Sequence, residues 1–297
     1  MTKRLALIER QVSKPMAILL DRLSERHFNS LAEIIESEIG IRLPPSKRVM
    51  LEGRLRKRVR ALGLSSLDEY GTFIFDRGQL HSEMIHLIDC VTTNKTDFFR
   101  EPEHFVLLTR AIVPRLLAER NKSNTRPLKF WSAACSNGAE PYTMAMVLQD
   151  LSPSARFRFS ILGTDICTSV IEQARKAVYP EEMLEPVPTD MRKRYVLLAK
   201  NPNRREFRIV PELRHLVNYQ RLNLISADYS LDRDVDVIFC RNILIYFDNE
   251  TQAAVVRKLC GHLKPGGFLF LGHSESMAAG GQLSMKQIAP TVFRRAI

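Results

Sequence analysis

Apolar residues recur at helical spacing over the first part of the chain. Phe28, Leu31, Ile34, Ile35 and Ile39 share one helical face, and Gly40 stops that segment. Leu51, Leu55, Val59 and Leu62 form a second stripe in a predicted helix over 46–62, which Gly63 ends. Arg54, Arg56, Lys57 and Arg60 spread over the rest of that helix. Two further segments, Leu67 to about Phe75 and Leu80 to Cys90, carry the same period. No alternating pattern and no internal repeat appears before residue 128. Residues 1–110 are therefore expected to form an all-helical N-terminal domain, followed by a linker helix and loop over 111–127.

The polar stretch Asn121 to Pro127 separates two textures. After it, short apolar runs alternate with helical segments. LKFWSAA (128–134), RFSILGTDI (158–166), DVDVIFCRN (234–242) and LKPGGFLFLGHSE (263–275) read as strands. Helices are expected over Ala139 to Asp150, Thr168 to Val178 and Asn249 to His262. Strand–helix alternation implies a parallel sheet with helical crossovers, so 128–297 is expected to be a doubly wound α/β domain. A polar, Pro-rich and Arg-rich stretch at about 180–222 interrupts it. Within that stretch, 207–210 and 216–219 read as short strands of a small insertion.

The 297 residues suit one large domain or two modest ones. With 45% hydrophobic and 26% charged residues, the chain is a globular protein rather than a disordered one. No run approaches the ~18 apolar residues of a membrane span. Glu9, Arg10 and Lys14 sit where a signal peptide needs an apolar stretch, so none is expected. The five cysteines form no C-x-x-C pair, which points away from disulfides and cysteine zinc sites and toward a reducing cytoplasm. His81 and His86 are five apart and diverge on a helix, so no metal site is expected. The net charge of +11 is local: 42–60 carries +7 and 190–214 carries +5, leaving the remainder at −1. Each patch is either a solvated face or a docking place for something acidic, a nucleic acid or a protein.

In an open parallel sheet, ligands bind beyond the carboxyl ends of the strands. The first such end runs Ala134 to Tyr142, small residues leading into a helix start, without the G-x-G-x-x-G or Walker A patterns. It is either a tight turn or a place where a ligand meets backbone N–H groups. The second carries Asp165, placed to accept bonds from two ribose hydroxyls or to cap the next helix. The third places Arg241 and Asn242 after an apolar strand, with Tyr246 four residues on, and such polar groups must find partners or line a site. Gly266-Gly267 reads as a turn. A dense polar stretch in the helical part, Thr92 to Arg100, reads by itself as a capped helix entrance.

Taken together, these stretches closely resemble the chemotaxis receptor methyltransferases of bacteria, the CheR family. TTNKTDFFR resembles its T-T-N-x-T-x-F-F-R signature, and WSAACSNGAEPYT its W-S-A-A-x-S-x-G-E-E-P-Y-S stretch. GTDI, IFCRNILIYF and LKPGGFLFLGHSE are similar to three more of its segments, in the same order, over about 20–295. The resemblance implies a Rossmann-like, S-adenosylmethionine-dependent methyltransferase domain with a small antiparallel insertion, preceded by an all-helical domain. It implies transfer of a methyl group to glutamate side chains on the acidic cytoplasmic helices of chemoreceptors. The products would be a γ-methyl ester and S-adenosylhomocysteine. It makes neither nucleic acid nor membrane insertion an expected partner.

Residue by residue, the resemblance implies that Asn94, Thr96 and Arg100 reach the cofactor from the helical part. Glu140 would bind its methionine end or nearby polar groups, and Asp165 its ribose hydroxyls. Asn223 and Leu224 would contact the adenine end. Arg241 and Asn242 would close the pocket, with Tyr246 near the transferred methyl. Arg100 and Tyr246 are the expected catalytic residues, orienting the incoming carboxylate. Arg54, Arg56 and Arg58 are expected to steer the acidic receptor helices. The chain departs from the family at Ala139, where a first acid usually stands before Glu140. It departs again at Lys200 to Arg205, a loop without the glycine on which some relatives dock a tethering peptide from the receptor C-terminus. Direct recognition of receptor helices is favoured over tethering. The rival readings are a methyltransferase acting on RNA or a small molecule and a non-catalytic binding protein with a degenerate pocket.

Overall fold

The computed structural model describes residues 21–120, 125–201, 203–277 and 284–297. Residues 1–20, where no signal peptide is expected, and residues 121–124 of the polar break lie outside them. The chain divides into two compact units between Thr92 and Thr93, not near residue 110. The reason is burial. Phe98, Phe105, Leu108, Ile112, Val113 and Leu116 are helix-spaced, but they pack into the core of the second unit with Leu128, Phe130 and Phe239. Helical periodicity identifies a face without identifying the core that covers it.

In the first unit, α1 (Glu25–Ile39) starts at Ser24, whose hydroxyl accepts from His27 N, and ends at Gly40 in the left-handed region. It buries Phe28, Leu31, Ile35 and Ile39. Helix α2 (Arg48–Ala61) follows a short 3-10 turn at Pro45–Lys47, and α3 (Leu67–Phe75) and α4 (Leu80–Val91) complete the unit. The basic character of α2 has an internal cause. It buries Glu52 beside Leu51, Leu55 and Val59, and Arg48 Nε donates to that carboxylate at 3.0 Å. Arg58 donates to buried Glu83 through Nε at 2.8 Å and Nη2 at 2.6 Å. Arg54 Nη1 donates to the carbonyls of Val91 (2.7 Å) and Thr92 (3.1 Å), covering orphan acceptors at the end of α4. Arg56 Nη2 donates to the Asp21 carbonyl at 2.8 Å. Arg54, Arg56 and Arg58, expected to face an acidic partner, are thus bound within their own unit. Lys57 and Arg60 are the exposed cations of this helix.

The second unit is built on a seven-stranded sheet of order β6-β2-β1-β7-β8-β10-β9. Its strands are β1 (Leu128–Ala133), β2 (Phe159–Asp165), β6 (Val217–Arg221), β7 (Val235–Cys240), β8 (Leu263–Leu271), β9 (Met285–Ala289) and β10 (Val292–Arg295). The first five in the order are parallel, and β10 and β9 close the other edge antiparallel. The strand read at 216–219 belongs to this sheet and not to the insertion: β6 pairs with β2 from Ile161↔Val217 to Asp165↔Arg221. A separate antiparallel sheet of order β3-β5-β4 holds β3 (Val178–Pro180), β4 (Val196–Leu198) and β5 (Glu206–Ile209). The hairpin β9–β10 carries too weak an apolar pattern to be read from sequence, since β9 is largely exposed. The glycines at 266 and 267 lie within β8, where its register against β7 shifts.

Crossover helices run over Ala139–Ala155, Thr168–Lys176 and Asn249–His262. Ahead of β1, the helix Pro102–Leu107 passes through a π-helical turn, Leu108–Ile112, into Val113–Ala118. β7 is buried throughout, including Asp236. That carboxylate is held by Lys129 N at 2.8 Å, Arg126 Nη2 at 3.3 Å and the Lys264 ammonium. No helix among the described residues is long and apolar enough to cross a membrane.

Burial pushes the Glu83 carboxyl up, but hydrogen bonds and charge from Arg58 outweigh it and hold the group below its usual value. Its contribution to stability is therefore present above the unfolded carboxylate pKa and is lost as pH falls through the lower folded value. Arg58→Ala leaves a buried charge without its partner and is expected to cost roughly 3 kcal/mol at neutral pH. The cost should shrink toward acid pH, where Glu83 is protonated. Urea unfolding at two pH values checks this; an equal cost at both would remove the ion pair as the cause.

Candidate active site at the carboxyl rim of the sheet

The loops after β1, β2, β6, β7 and β8 lie at the carboxyl ends of parallel strands. After β1 the chain turns tightly, with Ala134 (φ 58°), Ser136 (φ 50°) and Gly138 (φ 88°) in the left-handed region. A Cβ on Gly138 would fall 2.7 Å from the Tyr219 hydroxyl and 2.8 Å from Ala174 Cβ, so only glycine fits there. Asp165 ends β2, buried. Its Oδ2 accepts from Ser136 N at 2.8 Å, and its Oδ1 accepts from Cys167 N at 2.9 Å. One oxygen thus braces the turn into the helix Thr168–Lys176 and the other ties the β1 loop to β2. Asn223 and Leu224 follow β6 beside this end, where Leu222 N donates to the Asp165 carbonyl at 2.9 Å. Asn223 Oδ1 accepts from Ile225 N at 3.1 Å, and the carbonyl of buried Leu224 accepts from Lys258 Nζ at 2.9 Å.

The polar stretch before residue 100 is a loop laid across this rim rather than a capped helix entrance. Ser136 Oγ donates to the Asn94 carbonyl at 2.7 Å, and Asn94 Nδ2 donates to Cys167 Sγ at 3.3 Å. Thr96 is half-buried two residues on. Phe98 anchors the loop, fully buried with its ring 5.1 Å from Tyr179 and 5.8 Å from Phe207. Phe99 and Glu101 both take positive φ, 54° and 55°, so the chain folds sharply around Arg100. The Arg100 side chain is exposed, with Nη1 donating to the Lys95 carbonyl at 3.4 Å.

The other half of the site centres on Arg241, buried after β7. Its Nη2 donates to the Arg100 carbonyl at 2.5 Å. Its Nε lies 3.2 Å from Glu140 Oε2 and 3.6 Å from Glu101 Oε2. The guanidinium packs over Phe105 (5.4 Å) and Phe239 (5.6 Å). Nε and Nη1 are both buried without a well-aligned acceptor. Glu140 also accepts from Ser132 Oγ at 2.6 Å. Burial pushes its carboxyl up, against the pull of Arg241 and Ser132. Burial also raises Glu101, but Arg241, Asn242 and the His273 N–H outweigh it and hold the carboxyl below its usual value. Burial, assisted by the Arg241 charge, pushes His104 down to about 4. The thiols of Cys135 and Cys240 are driven up by burial, which removes them as nucleophiles at neutral pH.

Asn242 takes a left-handed conformation (φ 58°), and its Nδ2 donates to Glu101 Oε1 at 3.1 Å. The turn is held by Glu275, whose Oε2 accepts from Asn242 N (2.9 Å) and Gly272 N (2.7 Å) and whose Oε1 accepts from Leu244 N (2.7 Å). A Cβ on Gly272 would fall 2.6 Å from Asn242 Nδ2, so glycine is what lets the two loops close. Tyr246 ends the adjoining 3-10 turn Leu244–Tyr246, half-buried. The rim therefore carries Asn94, Thr96, Arg100, Glu140, Asp165, Asn223, Leu224, Arg241, Asn242 and Tyr246. Arg54, Arg56 and Arg58 belong to the other unit. Glu101 and Glu275 were not singled out from sequence, although one follows TTNKTDFFR directly and the other closes LGHSE.

Residues 94–293 match the family described as CheR methyltransferase, SAM binding domain, and residues 26–92 match CheR methyltransferase, all-alpha domain. The chain is 39% identical to chemotaxis protein methyltransferase 2 of Pseudomonas aeruginosa over 266 residues, covering 90% of this chain and 91% of that one. It is 32% identical to the chemotaxis protein methyltransferase of Borreliella burgdorferi over 92% of this chain and 95% of that one. It is 37% identical to the Escherichia coli protein of the same name over 86% of each chain.

Glu275→Gln removes the charge that three backbone N–H groups share. Hydrogen bonds to a charged acceptor contribute about 1.5–3 kcal/mol, so a loss of about 2 kcal/mol is expected in urea unfolding. Faster amide exchange should appear at Asn242, Leu244 and Gly272. Wild-type stability and protection would contradict this role.

Proposed function

The chain belongs to the CheR methyltransferase family and is an S-adenosylmethionine-dependent methyltransferase; from that premise we propose that it esterifies glutamate side chains of bacterial chemoreceptors in the cytoplasm. The donor set on the rim fits the cofactor chemically. An acceptor carboxylate, Asp165, suits a ribose diol. Some distance along the same rim, the buried donors Arg241 Nε and Nη1 lack aligned acceptors, which suits an α-carboxylate, and Glu140 beside them suits its ammonium. Those two buried donors of a guanidinium set between two carboxylates are the observation that carries the reading. Asn94 and Thr96 cover the site from the loop, Asn223 and Leu224 bound its adenine end, and Asn242 closes it.

The bound cofactor supplies a methyl group already activated on a sulfonium. The acceptor glutamate, with an ordinary pKa of about 4.3, is ionised at neutral pH, so the protein need not remove a proton. Its task is to align the carboxylate and exclude water. Arg100, exposed where the chain folds sharply, is placed to orient that carboxylate by charge-assisted hydrogen bonds. Tyr246, on the turn after β7, is placed to hydrogen-bond one of its oxygens. On the helical unit, exposed Lys57 and Arg60 replace Arg54, Arg56 and Arg58 as the groups that steer an acidic receptor helix.

The test offers labelled cofactor to receptor cytoplasmic fragments and, separately, to RNA. A base-labile product on the fragments alone is expected, and label stable to base would overturn the glutamate acceptor. Asp165→Ala should raise the Kd for S-adenosylhomocysteine at least tenfold. Arg100→Ala should lower kcat at saturating cofactor; unchanged turnover would remove its orienting role. Lys57→Glu with Arg60→Glu should raise the receptor KM and flatten its salt dependence, leaving cofactor Kd unchanged.

A further inference from the structure

Beside Arg241, two histidines far apart along the chain converge on the Glu101 carboxylate. His104 lies one helical turn after Glu101, with Nδ1 3.4 Å from Glu101 Oε2. His273 follows β8, with Nε2 3.8 Å from the same oxygen. The three atoms all lie within 4.8 Å of one another. Ligands at zinc bond lengths of about 2.0–2.1 Å around a tetrahedron are separated by about 3.4 Å, so small side-chain adjustments complete the set. His104 is 3% exposed, and its Nδ1 has no hydrogen-bond partner, nor does Glu101 Oε2. These are two buried polar atoms 3.4 Å apart, neither with an aligned hydrogen-bond partner.

Outer contacts orient His104 and Glu101 as metal sites require. His104 Nε2 lies 3.2 Å from Thr291 Oγ1, and with the proton on Nε2 the Nδ1 lone pair faces Glu101. Glu101 Oε1 is held by Asn242 Nδ2 and by His273 N at 3.3 Å. Glu103 Oε1 lies 2.7 Å from His273 Nε2, a further carboxylate at the exposed side. Phe270, 5.5 Å from the His104 ring, walls the inner side. Among the described residues, the carboxylates of Glu101, Glu103 and Glu140 lie near the cations of Arg241 and Arg100.

We infer that Glu101, His104 and His273 form a binding site for a zinc-class divalent cation, with the fourth position open to water or Glu103. Two imidazoles and one carboxylate select such a cation over magnesium, which prefers oxygen ligands. Occupancy draws Glu101 Oε2 away from Arg241. If the cofactor reading above holds, the ion also strengthens cofactor binding, because Arg241 loses a carboxylate that competes with the ligand's.

Calorimetric titration of zinc chloride into the full-length protein, without a histidine tag, tests the site. One equivalent should bind, with magnesium chloride giving no heat. His273→Ala, at a half-exposed position, should weaken zinc at least tenfold while keeping the wild-type circular dichroism. Thr291→Val should weaken it about tenfold through the outer contact, and His81→Ala should change nothing. Absence of stoichiometric binding, or wild-type affinity in His273→Ala, would overturn the site. A separate titration of S-adenosylhomocysteine with and without zinc reads the coupling; equal affinities would overturn the coupling alone.

Discussion

A single buried guanidinium organises the catalytic half of this molecule. Arg241 leaves β7 into a space walled by Phe105 and Phe239, where a charge is tolerable only if it is paired. Glu140 reaches it from the β1 loop and Glu101 from the loop before the helix Pro102–Leu107. Arg241 in turn holds the Arg100 carbonyl, which fixes the sharp fold that exposes the Arg100 side chain. Three chain segments are thereby registered by one cation, and its donors still exceed the acceptors aligned with them. The segments are held in place in this way before any ligand arrives.

Carboxylates do the complementary work with backbone N–H groups. Asp165 joins the β1 and β2 loops through two of them, and Glu275 joins the β7 and β8 loops through three. Each replaces a stretch of regular secondary structure that the rim cannot have, since these loops must leave the sheet. Positive φ values of non-glycine residues cluster in the same places, at Ser136, Glu101 and Asn242. Strain of that kind persists only where surrounding bonds over-determine the conformation, and here those bonds come from buried acids.

The helical unit shows how a charge pattern misleads. Seven net positive charges over 42–60 look like a docking surface. Most of that charge answers internal needs: Arg48 and Arg58 neutralise Glu52 and Glu83, and Arg54 covers the open carbonyls of α4. Composition counts charges, whereas the neighbours in space decide which remain available. The few that do, Lys57 and Arg60, are indistinguishable from the others in sequence.

The sequence by itself determined the helices of the first unit, the four central strands and the presence of chemistry at their carboxyl ends. Those features follow from local periodicity and from capping residues such as Ser24 and Gly40, which act within a few positions of themselves. It also carried the ordered motifs that relate the chain to its family. Tertiary structure alone decided that Phe98 and Phe105 belong to the second core, that Val217–Arg221 edges the large sheet and that β9 and β10 extend it. It alone brought Glu101 to Asn242 and His273, and Glu275 to Asn242. Those pairings join residues far apart along the chain through side chains whose choice of partner has no local period, so only the packed sheet and its rim loops select them.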